Sequence, residues 1–438
     1  MHSGKGDSHV VTHLDDRLPA SADAEQDASR PLKVAYVMSR FPKLSETFVL
    51  GEILAVEEQD VEVELYPLLR EREEVVHPEA AALCERARFQ PFISLSILAS
   101  QLHHLRRSPR RYTGALWALL RGTWRSPNFL VGGLGIFPKV AHAARLMEAD
   151  RVAHVHCHFS NHPAVAGFVI QRLTGIPYSF TAHGSDLHVD RHMLREKVAE
   201  AAFVVPISEF NRNVILRECG QHVAEKLVVI HCGVDTDLFR QRDAAEPGSA
   251  LTVICVGMLH EVKGQAYLVD ACRLLAEEGV PVACTLVGDG RDRPALQRQI
   301  AAAGLEGRVT LLGRRTRAEV AELVLSADVL VAPSVPTARG KREGIPVALM
   351  EAMSGGVPVV ASDISGIPEL VEHEATGLLV PPRDARAIAD ALRRLHDDSS
   401  LRRRLGLAGR EKVVREFDVR KSAAALARHF RAHARQAA

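Results

Sequence analysis

The sequence predicts an α/β fold class with two doubly wound domains that face each other across a cleft. Three observations lead to this prediction. The chain has 438 residues, more than one hydrophobic core usually organises. Short apolar runs alternate with helix-length segments, which is typical of open parallel sheets. A stretch rich in charge, Ala, Pro and Gly at 241–250 interrupts this alternation, which then begins again.

The first domain is predicted over residues 31–240. Its first apolar run, 33–38, is bounded by polar residues, as expected for a buried parallel strand, and residues 45–56 have helical spacing of apolar side chains. Residues 1–30 are polar, carry charges of both signs and contain no apolar core of a signal peptide, so we predict a disordered tail. Further strands are predicted at 61–65, 152–158, 178–181, 203–207 and 227–230.

The second domain is predicted over residues 241–419. Its strands are predicted at 251–256, 282–287, 309–312, 329–331 and 357–360, with helical segments between them. The last helical segment, 420–435, is a candidate to pack back on the first domain. Because ligands of such sheets bind beyond the carboxyl ends of the strands, we expect the functional site in the cleft between the domains.

Composition narrows the function classes. A net charge of +1 gives no electrostatic indication of a nucleic-acid partner. Seven scattered cysteines without a CxxC pair favour neither a disulfide framework nor a cysteine-rich zinc site, and they fit a reducing cytoplasm. No run approaches the roughly 20 apolar residues that span a bilayer. We therefore expect a cytoplasmic protein that is at most peripheral at the inner membrane face.

One segment, 101–130, departs from the regular alternation. It interleaves leucine and tryptophan with basic residues, a pattern typical of helices that lie in a membrane interface. The alternative is a solvated helical face packed against the core, and the sequence leaves both open. The basic residues are Arg106, Arg107, Arg110, Arg111, Arg121 and Arg125.

The most informative motif places Glu343 and Glu351 eight positions apart around a Gly-Ile-Pro turn. Pro346 suits the first turn of a helix because it lacks an N–H group. Glu343 then precedes the helix and Glu351 lies one to two turns inside it. The free amides at the helix N-terminus form an anion site, and carboxylates beside it suit the diphosphate and sugar of a nucleotide sugar. The ordinary alternative is an amphipathic helix with two solvated glutamates.

Further polar clusters lie where strands are predicted to end. Lys263 follows the first strand of the second domain, where an ammonium group can neutralise a phosphate held by helix amides. His183 lies in a Thr-Ala-His-Gly-Ser-Asp segment that ends a strand of the first domain. We interpret His154 and His156 as strand residues with hydrogen-bonded side chains rather than metal ligands. His158, at the strand end, is a candidate on the acceptor side.

Together with the segment FPKLSETF at 41–48, these motifs resemble the retaining glycosyltransferases of family four. The segments HCGVD at 231–235 and SGIPE at 365–369 make the chain similar to the exopolysaccharide and colanic-acid-type branch. The resemblance is close over 251–382 and patchier over 33–235. It implies the GT-B fold, in which two Rossmann-like domains enclose a donor cleft.

The resemblance also implies roles for individual residues. Glu343 would contact donor-sugar hydroxyls and stabilise the developing oxocarbenium charge, and Glu351 would hydrogen-bond the nucleotide ribose. Lys263 would bind the diphosphate, and His183 would face the donor sugar from the first domain. Backbone contacts to sugar, phosphate and base are implied at Gly344, Ile345, Pro346, Val347 and Gly313. The turn at Ser45, Glu46 and Thr47 would lie near the β-phosphate and the acceptor.

The chain departs from the family pattern at one position. The family commonly has Arg five positions before the phosphate lysine, where this chain has Met258. A guanidinium makes bidentate phosphate contacts that Met does not replace, and each lost charge-assisted contact typically costs about 1.5–3 kcal/mol. Either another arginine, such as Arg314 or Arg339, fills the space, or donor binding and turnover are weaker, and a non-catalytic protein is a further alternative.

The resemblance implies a metal-independent retaining glycosyltransferase without a cofactor. It would move a hexose from a UDP- or GDP-sugar to a saccharide or lipid-linked saccharide, with no nucleic-acid partner. A sugar-nucleotide epimerase of related fold and a non-catalytic sugar-nucleotide-binding scaffold are the two alternatives. The Asp235-Thr-Asp237 motif spells the DxD of metal-dependent transferases, but its place at the domain junction favours a structural turn.

Overall fold

A computed structural model describes residues 31–43, 46–71, 78–241 and 250–435. The predicted tail at 1–30 and Ser45 lie outside the described residues. Two parallel sheets, one of five and one of six strands, confirm the predicted fold class. Within the described ranges, no helix combines the length and apolarity that crossing a membrane requires.

The first sheet has the strand order β2-β1-β3-β4-β5. Its central strands are buried on both faces. Their side chains are therefore apolar or hydrogen-bonded throughout and do not alternate between apolar and solvated. The strands are β1 (Leu32–Phe41), β2 (Val61–Arg70), β3 (His154–His158), β4 (Tyr178–Ala182) and β5 (Phe203–Pro206).

Helices connect these strands and cover both faces of the sheet. They are α1 (Thr47–Glu57), α2 (Pro78–Arg86), α3 (Leu95–Arg107), α4 (Pro109–Thr123), α5 (Pro127–Ala149), α6 (His162–Thr174), α7 (Ser185–His188), α8 (Leu194–Glu200) and α9 (Glu209–Cys219), followed by a 3₁₀ turn at Gln221–Lys226. The strand predicted at 227–230 is wrong. After the 3₁₀ turn, Leu227 forms only an isolated bridge with Val204 as the chain leaves the sheet for the domain junction.

The second sheet has the strand order β11-β10-β9-β6-β7-β8. Its strands are β6 (Leu251–Val256), β7 (Val282–Val287), β8 (Val309–Gly313), β9 (Val329–Ala332), β10 (Val359–Ser362) and β11 (Leu378–Val380). The strand predicted at 357–360 begins two residues later, because Val357 and Pro358 leave the turn that ends the preceding helix. Strand β11, which has only three residues, was not predicted from the sequence.

The helices of the second domain surround this sheet. They are α10 (Gln265–Glu277), preceded by a 3₁₀ turn at Glu261–Lys263, then α11 (Arg293–Ala302), α12 (Arg317–Ser326), α13 (Val347–Ser354), α14 (Ile367–Leu370), α15 (Ala385–Asp397) and α16 (Ser399–Glu416). The terminal helix α17 (Val419–His433) packs against α1 of the first domain. Its Phe430 is fully buried among the side chains of β1 and β5.

The two connections between the domains run side by side. The Val234 N–H donates to the Phe417 carbonyl at 2.8 Å, and the Val419 N–H donates to the Val234 carbonyl at 3.1 Å. At this junction the Asp235 carboxylate accepts the N–H groups of Asp237 and Leu238. The Asp235–Asp237 motif is therefore the structural turn that the sequence favoured.

Candidate active site

The Gly-Ile-Pro turn leads into α13, which follows β9 in the chain. The helix begins at Val347, so Pro346 is the residue just before it rather than part of its first turn. Glu343 precedes the helix and Glu351 lies one turn inside it, as the motif predicted. The first amides of α13 lack intrahelical partners and carry the positive end of the helix dipole.

Glu343 and Lys263 meet at this edge of the sheet. The Lys263 ammonium lies 2.8 Å from Glu343 Oε2, which also accepts from the Ser334 hydroxyl at 3.1 Å. The side chains of the pair are 23% and 16% exposed. The two charges therefore compensate each other at the rim of the cleft.

Glu351 is buried, with an exposed fraction of 7%. Burial raises the pKa of its carboxyl to about 7, while Arg317 and Lys263 oppose this effect. With Glu351 buried and Glu343 paired to Lys263, the alternative of two solvated glutamates on an ordinary helix is wrong.

The His183 loop of the first domain is fixed by Asp186, which the sequence analysis did not single out. The buried Asp186 carboxylate accepts N–H groups from His183 at 3.1 Å, Gly184 at 2.7 Å and Ser160 at 2.7 Å. Burial raises the pKa of Asp186, and these N–H donors oppose the rise. The carboxylate thus holds together the loops that follow β3 and β4.

The Glu343 loop and the His183 loop touch at two glycines. A Cβ on Gly344 would lie 2.2 Å from the His183 carbonyl oxygen, and one on Gly184 would lie 2.9 Å from the Gly344 nitrogen. Gly184 also has φ of +143°, a conformation that L side chains rarely adopt. Only glycine permits this approach of the two domains, which brings His183 to the motif that carries Glu343.

A second contact joins the domains through the SGIPE segment. The Glu369 carboxylate accepts the N–H groups of Glu209 at 2.8 Å and Phe210 at 2.9 Å. These N–H groups belong to the first turn of α9, where a carboxylate is favoured by the helix dipole. Glu369 therefore caps a helix of the opposite domain.

Three histidines of β3 form a buried polar core beneath the cleft. His154 Nε2 lies 2.7 Å from the Ser179 hydroxyl, and the two ring nitrogens of His156 lie 2.8 Å from Ser179 Oγ and 3.0 Å from Thr181 Oγ1. Burial lowers the pKa of His154 to about 3 and that of His156 well below its usual value, so both are neutral. Their interpretation as hydrogen-bonded strand residues is confirmed.

His158 contacts His183 rather than the open cleft. Its side chain is fully buried, and its Nδ1 lies 3.1 Å from His183 Nε2. Its Nε2 lies 3.2 Å from a carboxylate oxygen of Glu52 on α1. Glu52, His156 and His158 each bring one ligand atom within 4.8 Å of the others, but both ring nitrogens of His156 already have hydroxyl partners.

The first strand-to-helix turn approaches the same region. Glu46 pairs with Lys43. Lys43 in turn lies close enough to Lys341 of the second domain to lower its pKa. The predicted neighbour Ser45 lies outside the described residues, so the structure describes this turn only through Lys43, Glu46 and Thr47.

Lys341 is a cation that the sequence analysis missed. Burial lowers the pKa of its ammonium, and Glu343 opposes this effect. The nearby cations Arg291, Lys263 and Lys43 add to the lowering. Its backbone is held by Thr337, whose hydroxyl accepts the Lys341 N–H at 3.1 Å.

The remaining predicted positions are Met258, Arg314, Arg339 and Gly313. Met258 is 49% exposed in the loop that follows β6, directly beside the Lys263 turn. Arg314 and Arg339, the candidates to replace the usual arginine, both have exposed side chains. Gly313 ends the edge strand β8 with φ of +79°. The cations that lie near Lys341 are Arg291, Lys263 and Lys43.

The chain is similar in sequence to known glycosyltransferases over most of its length. Residues 119–238 match the family described as Glycosyltransferase Family 4, and residues 250–398 match the family described as Glycosyl transferases group 1. The amylovoran biosynthesis glycosyltransferase AmsK of Erwinia amylovora is 31% identical over 413 residues, which cover 88% of this chain and 96% of that protein. The putative colanic acid biosynthesis glycosyltransferase WcaL of Escherichia coli is 32% identical over 380 residues, covering 82% and 90%.

Solved structures agree at the level of the fold. Anabaena HepE, in a crystal structure with UDP and glucose, has a TM-score of 0.67 and 20% identity over 92% of this chain and 100% of that chain. Staphylococcus aureus TarM has a TM-score of 0.66 and 14% identity over 91% and 100%. The sequence relatives, the paired domains and the site between them lead to one conclusion: the chain is a glycosyltransferase of family four with the GT-B fold.

Proposed function

We propose that this glycosyltransferase transfers a hexose from a UDP- or GDP-sugar to a hydroxyl of a lipid-linked saccharide, with retention of anomeric configuration. The observation that carries the proposal is the Lys263–Glu343 pair, which lies at the N-terminus of α13 and beside the His183 loop. The names of AmsK and WcaL, both polysaccharide biosynthesis proteins, support an exopolysaccharide intermediate as the acceptor.

The bond that breaks in this reaction joins the sugar C1 to the diphosphate. Negative charge then grows on the leaving oxygen, where Lys263 and the α13 amides would stabilise it. Positive charge grows on the sugar, where the Glu343 carboxylate would stabilise it. Donor binding thus separates an existing ion pair and gives each partner a new counter-charge.

Retention follows if the acceptor hydroxyl attacks from the face that the diphosphate leaves. Its oxygen forms the new bond to C1, and its proton passes to the departing phosphate oxygen. This route needs no enzymic nucleophile. The contact between the Gly184 and Gly344 loops supports a site that is closed to water during the ion-pair stage.

We further propose that the diphosphate is neutralised by side chains and amides rather than by a bound metal. Lys263, Lys341 and the amides of α13 supply positive charge, and a divalent ion would add to an already cationic space. Lys341 would then replace part of the charge that Met258 does not provide. Transfer by enzyme treated with EDTA should equal transfer by untreated enzyme, and loss that Mg²⁺ or Mn²⁺ restores would contradict this.

An anionic membrane surface is the proposed location of the lipid-linked acceptor, at the inner face of the membrane. Helices α3, α4 and α5 expose Trp117 by 65% and Trp124 by 63%, beside exposed leucines and arginines. Tryptophan and leucine suit the lipid interface, and arginine suits anionic headgroups. This exposure favours an interfacial role over a solvated face packed on the core.

Vesicle sedimentation tests this location. The wild type should bind phosphatidylglycerol vesicles more than phosphatidylcholine vesicles. A Trp117→Ser, Trp124→Ser double variant should lose most binding, while Val189→Ser, at another exposed apolar side chain, should not. Equal sedimentation of the double variant and the wild type would contradict the proposal.

Nucleotide release separates the proposed reaction from its alternatives. Wild-type protein is incubated with a panel of UDP- and GDP-sugars, with and without lipid-linked saccharides from cells. Nucleoside diphosphate released together with a longer saccharide supports the transferase. A converted sugar nucleotide without release would indicate an epimerase, and binding without any conversion would indicate a scaffold.

A further inference from the structure

A line of polar side chains in close contact links α1 to the His183 loop. Glu52 Oε1 accepts from the Tyr36 hydroxyl at 3.0 Å and lies 3.2 Å from His158 Nε2. His158 Nδ1 lies 3.1 Å from His183 Nε2. His183 Nδ1 lies 3.6 Å from the thiol of Cys232. The Glu52 side chain is 18% exposed, whereas His158 is fully buried.

The two rings share one hydrogen bond, in which one of the facing nitrogens donates and the other accepts. Glu52 lies beside the other nitrogen of His158, and the Cys232 thiol lies beside the other nitrogen of His183. Burial lowers the pKa of His183 well below its usual value, and His158 adds to this, in agreement with a neutral ring.

These side chains hold the His183 ring, while Asp186 holds the backbone of the same loop. The His183 ring is flanked by Phe48 and Phe159, with centroid distances of 4.8 and 4.6 Å. Both of its nitrogens face first-domain groups. Its carbonyl oxygen is the atom that a side chain on Gly344 would strike. A displaced His183 ring would therefore shift the surface against which the Glu343 loop packs.

We propose that Glu52 is a positioning residue of the transfer reaction, acting through His158 to hold His183 against the Glu343 loop. The inference rests on the proposed function. It predicts that Glu52 affects turnover and leaves nucleotide binding unchanged, because Lys263, Lys341 and α13 all belong to the second domain. A misplacement near 1 Å at a reacting centre can cost about 100-fold in rate.

Two variants at Glu52 test the proposal. Glu52→Ala should lower kcat for sugar transfer about 100-fold, by the same positional effect. Glu52→Gln keeps an oxygen that accepts from Tyr36 and lies beside His158, so it should retain kcat within about 5-fold (roughly 1 kcal/mol) of the wild type. Calorimetric binding of the nucleoside diphosphate that the wild type releases should be unchanged in both.

A third variant and a control separate an effect on the position of His183 from an effect on the stability of the fold. His158→Gln keeps a donor toward Glu52 and removes the contact with His183, so it should be as slow as Glu52→Ala. His142, a buried histidine 2.8 Å from the Ser100 hydroxyl between α3 and α5, serves as the control. His142→Ala should lower the melting temperature without lowering kcat of the folded protein.

The outcomes are distinct. Unchanged kcat in Glu52→Ala or His158→Gln overturns the inference while the proposed function stands. A Glu52→Gln variant as slow as Glu52→Ala also overturns it. The reaction would then require the charge of Glu52 rather than an oxygen placed beside His158. Weaker nucleotide binding in proportion to the loss of kcat would indicate a general structural defect and overturn it. A wild type that transfers no sugar overturns both the proposed function and this inference.

Discussion

The two walls of the cleft differ in the charge and in the burial of their side chains. The second domain presents Lys263, Glu343 and Lys341, which are charged and partly exposed. The first domain presents His158 and His183, which are buried and linked to each other by a hydrogen bond, with Glu52 as the nearby carboxylate. The second domain thus forms a charged wall, whose side chains can exchange counter-charges with a ligand. The first domain forms a buried wall, whose side chains are held in place by their contacts.

The difference has an energetic basis. A partly exposed ion pair contributes little net stability, so a ligand can separate it at small cost. A buried network loses much more when one member is left without a partner. We therefore expect changes on the second-domain wall to alter donor binding and chemistry while the fold persists. Changes on the first-domain wall should alter geometry and turnover.

The largest expected effect is at the charged wall. Lys263→Ala and Glu343→Ala should each lower kcat for transfer by about 100- to 1,000-fold, the range seen when one group that stabilises transition-state charge is removed. Steady-state kinetics with the preferred donor measures this effect. Lys33→Ala is the matched control, since Lys33 pairs with Glu62 at 2.9 Å at the far end of the first sheet. Unchanged kcat in both site variants would remove the site assignment.

The charged wall was also the part that the sequence predicted best. Lys263, Glu343 and Glu351 lie in short contiguous motifs at strand ends, so local chemistry and strand order are sufficient to bring them together. Their loops are specified by nearby residues such as Pro346 and Gly344. The regular alternation of apolar runs likewise predicted both sheets, apart from β11 and the segment after β5.

The buried wall of the first domain was predicted less completely from the sequence, for a physical reason. Glu52 lies on a helix that is mostly apolar, and nothing in the sequence distinguishes it from a solvated side chain. Its partner His158 comes from a strand far away in the chain, and only the parallel pairing of β1 and β3 brings them together. Asp186 and Lys341 were missed similarly, because their roles depend on loops that meet in three dimensions.

The contact between the walls gives the next prediction. Gly344→Ala should lower kcat about 100-fold, because the new methyl group would lie 2.2 Å from the His183 carbonyl oxygen and would push the loops apart. Transfer kinetics and a thermal melt together check this. Gly135→Ala on α5 is the control, since a Cβ there meets no atom within 4 Å. Full activity in Gly344→Ala would show that the loops need not touch during turnover.

A smaller effect is expected at Lys341. Lys341→Ala should weaken binding of the nucleoside diphosphate about 10-fold, the effect of one lost charge-assisted contact of about 1.5 kcal/mol. Isothermal titration calorimetry measures the change. Arg339→Ala is the matched control, because Arg339 lies in the same loop and has an exposed side chain. If Arg339→Ala weakens binding more than Lys341→Ala, the predicted arginine rather than Lys341 replaces the missing guanidinium.

The last expected effect is on stability alone and concerns Glu351, which belongs to the charged wall but is buried like the residues of the first-domain wall. Its carboxyl has a folded-state pKa of about 7, raised by burial from 4.5. The folded protein therefore holds this proton more tightly than the unfolded chain, and the contribution of Glu351 to stability falls as pH rises from about 4.5 through 7. Glu351→Gln removes this dependence, because its amide does not ionise.

Denaturant unfolding at pH 5 and pH 8 measures the effect of Glu351. Relative to the wild type, Glu351→Gln should gain stability on the order of 2 kcal/mol between these two pH values. Glu62→Gln, at an exposed ion-paired carboxylate, should show no such gain. If the stability difference at Glu351 does not change with pH, the carboxylate is ionised in both states. Glu351 would then resemble Glu343, and burial would not distinguish the two acidic groups of the charged wall.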